Sequence, residues 1–193
     1  MKKKIILYGS GGHSNSVIDV INTTGKFKID LILDDKPICK KILNVIVKKS
    51  SVFINQNKIS KNIHISFASI YNLNARLKIY ERLKALKIYK FPNIISPTSY
   101  ISKNSNLSEG IIIMHSALIN ANVQIDENVV INTGSIIEHD VKIGKNSHIS
   151  TGVTVNGGVT IGKNCLVGSG SIIRENVKIA DNTFIKMGSI IKK

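Results

Sequence analysis

The sequence predicts an α/β domain opening on a Rossmann-like βαβ unit over residues 1–92, followed by a parallel β-helix over residues 93–193. Two observations carry this. A short apolar run near the N-terminus leads straight into a glycine-bearing turn and then into apolar residues at helical spacing. From Ile95 to Ile191 every sixth residue is Ile, Leu or Val without a slip, and a fixed short period marks a solenoid whose repeats bury apolar side chains only by stacking. A plain antiparallel sandwich would instead show irregular turns and strand units of about 8 to 12 residues.

In chain order, Lys4 to Tyr8 reads as a buried strand, and Gly9-Ser10-Gly11-Gly12-His13-Ser14 follows as a turn. Val17, Ile18, Val20 and Ile21 then suit a helix ending near Gly25. Ile29 to Leu33 forms the next strand and closes on Asp34-Asp35. Glycines after a first strand let the backbone approach a phosphate, and an acid ending the second strand can accept hydrogen bonds from a ribose or a base. The pattern weakens from Pro37 to Ser66, where Val45 to Val47 and Ile63 to Phe67 read as strands around an ill-patterned stretch. Asn74 to Leu86 is an amphipathic helix with Leu77, Tyr80, Leu83 and Ala85 toward the sheet and Lys78, Glu81, Arg82 and Lys84 outward. Ile88 to Phe91 forms a last strand before the repeats.

Within each hexad the anchor is followed four residues later by a small or β-branched residue, as at Ser135, Val141, Ser147, Val153, Val159, Cys165 and Ser171. Alternation along a short strand sends both inward, with one residue between them and the next anchor facing out. The remaining three residues turn a corner, which accounts for Gly144, Asn146, Gly162, Asn164, Asn176 and Asn182. Three hexads make one triangular coil.

At 193 residues with 42% hydrophobic content, the chain can hold one large or two small domains with a core. Lys2-Lys3-Lys4 before Ile5-Ile6-Leu7 mimics a signal peptide, but the glycine turn interrupts the apolar run, and no stretch approaches a membrane span. Membrane insertion is therefore not expected. Two cysteines, Cys39 and Cys165, make no disulfide framework and fit a cytoplasmic setting. The formal charge of +15 comes mainly from scattered lysines. That distribution argues against nucleic acid and for small polyanionic ligands.

The hexads resemble the left-handed parallel β-helix of bacterial hexapeptide-repeat acyltransferases. With the N-terminal glycine turn and acid pair, the whole chain resembles the PglD and NeuD type, which acetylate amino-sugar nucleotides or sialic acids. The most specific run is Ile137-Glu138-His139-Asp140-Val141-Lys142-Ile143-Gly144, followed by Ser147-His148-Ile149-Ser150. The resemblance implies that Gly9, Gly11, Gly12, His13, Asp34 and Asp35 line a sugar-nucleotide pocket. It implies that His139 is the general base, that Asp140 or Glu138 orients it, and that His148, Gly157, Gly158, Ser169 and Gly170 meet acetyl-coenzyme A, with no metal. Two departures stand out. Tyr71-Asn72-Leu73-Asn74 replaces the Gly-Asn common before the preceding domain's last helix, and the chain stops at Ile191-Lys192-Lys193 where related enzymes commonly continue into a G-x-P-A-K-like tail. An opened adenine end of the coenzyme pocket is the expected consequence.

Five histidines remain to be sorted. His64 lies in a strand pattern and reads as structural, while His115 is a corner residue that reads as surface polar. His139 alone is flanked by acids on both sides. A carboxylate beside an imidazole fixes its tautomer and raises its basicity, and imidazole suits proton removal near neutral pH. Acetyl transfer from a thioester to an amine needs that base, together with backbone donors for the developing oxyanion, for which Gly157-Gly158 give close access. The repeat register places His139 at a corner and His148 outward across the triangle, on a prism whose sides span about 10 to 15 Å. A homotrimer in which His139 of one chain meets His148 of the next follows.

These readings converge on an N-acetyltransferase moving acetyl from acetyl-coenzyme A to a UDP- or dTDP-linked 4-amino-4,6-dideoxy sugar, for glycan or surface-polysaccharide assembly. Sialic acid O-acetylation is the alternative within the family, and a non-catalytic ligand-binding protein the alternative outside it. The spacings of His115, His139 and His148 do not resemble the zinc ligands of γ-type carbonic anhydrases.

Overall fold

The computed structural model describes residues 2–53, 60–68 and 72–193; residues 54–59 of the ill-patterned stretch and Tyr71 lie outside the described residues. Strand β1 (Lys3–Tyr8), helix α1 (His13–Thr24) and strand β2 (Phe27–Asp34) form the expected βαβ opening, with β1 and β2 parallel. Helix α1 ends where Gly25 takes a left-handed φ of 65° and returns its N–H to the Asn22 carbonyl. Beyond β2 the weak pattern hides a hairpin: β3 (Lys41–Ile42) and β4 (Val45–Lys49) pair antiparallel, and β4 runs parallel to β2. Helix α2 (Ser50–Phe53), strand β5 (Ile63–Ile65) and helix α3 (Leu73–Ala85) complete the domain, and the sheet order is β3-β4-β2-β1-β5. Strand alternation sorts the core. Ile5 and Leu7 pack with Val17, Ile18 and Ile21 of α1, whereas Ile6 and Tyr8 pack with Tyr80 and Leu83 of α3.

Two expectations change here. Ile88 to Phe91 is not a strand; Lys90 alone bridges to Asn62, because Lys87 turns the backbone to φ 54° and Pro92 has no N–H to continue a ladder. Helix α3 begins a residue early, capped by the Asn72 side chain, which accepts from the Ala75 N–H at 3.2 Å. Its buried residues are Arg76, Tyr80 and Leu83, while Leu77 is half-buried and Ala85 exposed. A guanidinium holds a core position because Arg76 Nη1 donates to the carbonyls of Ile65 and Phe67, both at 2.8 Å. The Ile65 carbonyl ends β5 and that of Phe67 follows it, so the guanidinium gives both a partner where the sheet stops.

From Ile94–Ile95 to Ile190–Ile191, seventeen two-residue strands wind into a parallel β-helix of three faces. Coils stack in register, Ile119 on Ile137 on Val155 on Ile173. Anchors and β-branched residues fill the interior, and the small polar ones fit because each hydroxyl finds a carbonyl: Ser135 donates to Ser150 at 2.8 Å and Ser147 to Gly162 at 2.8 Å. The first face turns Ile94, Ile112, Val130, His148, Leu166 and Phe184 outward. The N-terminal domain covers it, with Ile94, Ile112, Met114 and Val130 joining the core of α1. The second face presents Tyr100, Leu118, Ile136, Thr154, Ile172 and Ile190, and the third presents Asn106, Gln124, Lys142, Thr160 and Lys178.

Corners take left-handed backbone, and the corner between third and first faces does so with asparagines. Asn128, Asn146, Asn164 and Asn182 have φ of 58°, 59°, 55° and 60°. Their amides form a ladder along the prism edge, each donating to the next at 2.7 to 2.8 Å. Asn146 also donates to the Leu73 carbonyl at 3.1 Å and Asn164 to Asn74 Oδ1 at 2.9 Å, which fastens the start of α3 to the prism.

Candidate active site

A cleft of about 460 Å³ opens at the C-terminal ends of β1 and β2, walled by Tyr8, Gly9, Asp34, Asp35, Phe67, Ala75, Lys78 and Ile79. Such ends are where open α/β sheets place ligands. Gly9 has a φ of 112°, and a Cβ there would stand 2.5 Å from the Phe67 ring, so no other residue fits. The acids are held from within. Asp34 Oδ2 accepts from the Ser10 N–H at 2.7 Å and the Ser10 hydroxyl at 2.6 Å, and Oδ1 accepts from the Lys36 N–H at 2.8 Å. Asp35 Oδ1 accepts from the Tyr8 hydroxyl at 2.5 Å and from the Ser50 hydroxyl, and pairs with Arg82 at 3.3 Å. Burial alone would raise the Asp35 carboxyl, but the Ser50 and Tyr8 hydrogen bonds and the Arg82 charge outweigh it and hold the group below the ordinary carboxylate value. Tyr8 is pushed up to about 12 by burial and by its bond to Asp35. Gly11, Gly12 and His13 lie outside these walls, at the start of α1, where the positive end of the helix dipole favours an anion.

His148 does not present its ring to a neighbouring prism as the register suggested. It points off the prism, but the N-terminal domain covers that face and leaves it 2% exposed. Its ring lies 6.3 Å from that of His13, in a buried group with His64 and Arg76. Burial lowers His148 to about 3, helped by the His13 and Arg76 charges and opposed by the Ala68 carbonyl. His64 is likewise lowered to about 3, and His13 to about 4 by burial and Arg76. Among the described residues, Arg76 Nε and Nη2 and His13 Nε2 have no hydrogen-bond partner. His115 is more than surface polar: Nδ1 meets the Ser96 hydroxyl at 2.7 Å and Nε2 meets Asp19 of α1 at 3.0 Å, tying the domain to the first two coils.

The second concavity is at the corner between second and third faces. About 550 Å³ is bounded by Glu138, His139, Asp140, Asn156, Gly157, Gly158, Glu175 and Asn176. His139 Nδ1 lies 2.8 Å from Asp140 Oδ2, and the other carboxylate oxygen, Oδ1, accepts from Asn122 Nδ2 at 2.5 Å. Those hydrogen bonds, His139 first, hold the Asp140 carboxyl below its usual value. Asp140 can reach back because its backbone is left-handed, at φ 61°. Glu138 turns instead to Asn120 Nδ2 at 2.8 Å. With Nδ1 held by a carboxylate, Nε2 is the free ring nitrogen. Gly157 keeps the space beside it open, since a Cβ there would lie 2.7 Å from His139 Cε1.

One chain therefore brings His139, Asp140, Gly157 and Gly158 together and gathers Gly9, Asp34 and Asp35 elsewhere. Ser169 and Gly170 stand at a third place, the corner between first and second faces, where the Ser169 hydroxyl meets that of Thr151 at 3.1 Å. Sequence reasoning missed Tyr8, Phe67, Ser50 and Arg82 around Asp35, and Asn156, Glu175 and Asn176 around His139. The latter three had a signal: they recur one or two coils after Glu138, His139 and Asp140, at the same corner.

Residues 4–83 match the PglD N-terminal domain, and residues 122–157 and 158–193 each match the bacterial transferase hexapeptide (six repeats). No curated protein matches the sequence. Among solved structures, the fold is similar to that of a His-to-Asn variant of perosamine N-acetyltransferase from Caulobacter crescentus in complex with CoA and GDP-perosamine. The TM-score is 0.90 at 23% identity, over 98% of this chain and 89% of that one. The acetyltransferase domain of PglB from Neisseria gonorrhoeae FA1090, in complex with acetyl coenzyme A, gives 0.88 at 23% identity over 99% and 93%. WeeI from Acinetobacter baumannii AYE gives 0.88 at 20% identity over 100% and 92%. With a PglD N-terminal domain ahead of transferase hexapeptides, the chain belongs to the bacterial hexapeptide-repeat acyltransferases of the PglD type, with their left-handed β-helix.

Proposed function

We propose that the chain is an acetyl-coenzyme A-dependent N-acetyltransferase acting on a UDP- or dTDP-linked 4-amino-4,6-dideoxy sugar in cytoplasmic glycan or surface-polysaccharide assembly. Residues 1–92 would hold the nucleotide and residues 93–193 would carry the chemistry. The observation that carries the reading is the His139–Asp140 pair beside the side-chain-free Gly157. Asp140 holds Nδ1, so Nε2 is free to take the proton lost by the sugar amine as its nitrogen bonds to the acetyl carbon. Acetyl-coenzyme A supplies that carbon as a thioester, whose C–S bond breaks as the tetrahedral intermediate collapses, and the proton held on Nε2 passes to the departing sulfur to give free coenzyme A. The gap kept by Gly157 suits a small acyl group next to the ring. Neighbours of the same fold bind CoA, acetyl coenzyme A and GDP-perosamine, which supports both ligand classes.

The reading also requires a homotrimer. The nucleotide cleft sits on the domain that covers the first face, whereas His139 stands at the corner opposite that face. The second face is flanked by the His139 corner on one side and the Ser169 corner on the other, and its outward column is apolar but for Thr154: Tyr100, Leu118, Ile136, Ile172 and Ile190, with Ile136 38% and Ile172 43% exposed. Turning that face to a three-fold axis would cover the column. It would also bring the His139 corner of one chain beside Ser169, Gly170, His13 and the cleft of the next.

The test is thiol release from acetyl-coenzyme A with UDP-, dTDP- and GDP-linked 4-amino sugars and with free sialic acid. Turnover with a UDP- or dTDP-sugar, falling by about 10²-fold or more in His139→Ala, is the expected result. Turnover with the GDP-sugar alone would overturn the nucleotide assignment, and turnover with sialic acid alone would make the enzyme an O-acetyltransferase.

A further inference from the structure

The β3–β4 hairpin and the residues leading into it carry three large apolar side chains on the outside. Ile38 is 87% exposed, Leu43 60% and Ile46 47%. Cys39, Ile42 and Val45 turn the other way and pack against the core of α1, so the hairpin is anchored by one side and free on the other. Leu43 occupies the turn at φ 43°, where a branched side chain is disfavoured and Gly or Asn is the ordinary choice. The residue is 60% exposed, so burial offers little to offset that.

Charge sharpens the picture. Residues 36–49 contain Lys36, Lys40, Lys41, Lys48 and Lys49 and no acid, and all five lysines are exposed. None makes an ion pair among the described residues, whereas Lys84 and Lys145 on the prism side are matched by Glu109, Glu127 and Glu81. Leu43 and Ile46 at the tip, with Lys40 and Lys41 beside them and Ile38, Lys36, Lys48 and Lys49 toward the base, match the boundary zone of an anionic bilayer, where the tip enters the headgroup layer and ammonium groups meet phosphates. A nucleic acid would use the lysines and leave the apolar tip in water. We propose that the β3–β4 hairpin docks this protein on anionic lipid surfaces through Ile38, Leu43, Ile46 and the surrounding lysines. No helix among the described residues is long and apolar enough to cross a membrane, so the attachment is peripheral.

Co-sedimentation of the full chain with vesicles tests this without reference to acetyl transfer. Vesicles of phosphatidylcholine alone are compared with vesicles containing about one-third phosphatidylglycerol, at low and at physiological salt. The protein should bind the anionic vesicles only, and less as salt rises. Leu43→Asn suits the left-handed turn better, so it should keep or raise the melting temperature while cutting the bound fraction severalfold. Lys40→Glu with Lys41→Glu should abolish binding. Absence of binding by the unaltered chain, equal binding to neutral vesicles, or unchanged binding by these variants would overturn the proposal. So would a shift in sedimentation mass of the variants in lipid-free solution, which would make the hairpin a contact between copies, or hairpin-dependent capture of a single-stranded oligonucleotide with none of vesicles.

Discussion

Gly157 offers a test of the site at a single atom. Its φ is not in the left-handed region, so alanine suits the backbone, yet the added methyl would stand 2.7 Å from His139 Cε1 and must displace the ring. Misplacing a catalytic group by about 1 Å can cost 10²-fold. Gly157→Ala should therefore lower acetyl transfer by about tenfold or more while the thermal midpoint stays close to that of the unaltered chain; a parallel loss of both would mean that the glycine serves packing. This part of the site was legible from sequence, because Glu138 and Asp140 flank His139 and a corner brings immediate neighbours to bear on one another. The choice between the two acids was not, since it depends on the left-handed turn at Asp140 that lets its carboxylate fold back. His148 shows the opposite limit. A period of six says that it points off the prism, but what covers that face is decided by residues far away in sequence.

At the scale of an element, the asparagine edge explains how α3 is seated. Asn146 is buried, receives the amide of Asn128, and donates to Asn164 and to the Leu73 carbonyl. Asn146→Ala removes those bonds and puts a Cβ-bearing residue without side-chain help in a left-handed turn. The loss should be about 3 kcal/mol, about 1 of it from the backbone and the rest from hydrogen bonds. Asn146→Gly relieves the backbone part, so chemical denaturation should rank it between alanine and the unaltered chain. If glycine and alanine destabilise equally, the ladder rather than the turn conformation holds the corner. The Gly and Asn at these corners were readable one by one from the hexad pattern, whereas the ladder needs the coil length that places identical residues above each other. The same distinction explains Arg76. An amphipathic reading puts a charge outward on α3, and only the carbonyls left open beyond β5 make a buried guanidinium favourable.

At the scale of the whole molecule, the buried histidines and the split site make separate claims. His13, His64 and His148 stay neutral in the fold, lowered to about 4, 3 and 3, whereas unfolded histidine protonates near 6.5. Below pH 6.5 the unfolded chain binds protons that the fold refuses. Stability is thus full above that pH and falls as pH drops toward 4, by no more than about 1.4 kcal/mol per ring for each unit. Chemical denaturation between pH 7 and 5 should show that slope, and His64→Phe should lessen it. The split site is tested by complementation. His139→Ala spoils the prism corner and Asp35→Ala spoils the cleft proposed to hold the nucleotide, and each variant alone should be nearly inactive. If every site joins the corner of one chain to the cleft of the next, co-expressed equal amounts mix at random, and half the corners and half the clefts are intact. About one quarter of the sites then combine two sound halves, and the mixture should recover about one quarter of the unaltered turnover. A site contained in one chain would regain nothing, because no single chain in the mixture has both halves. Adding Ile136→Lys and Ile172→Lys to both variants should abolish the recovery and leave monomers in sedimentation, since the apolar second face would then carry unpaired charges toward the axis it must bury. Recovery that survives those lysines would place the shared surface on another face.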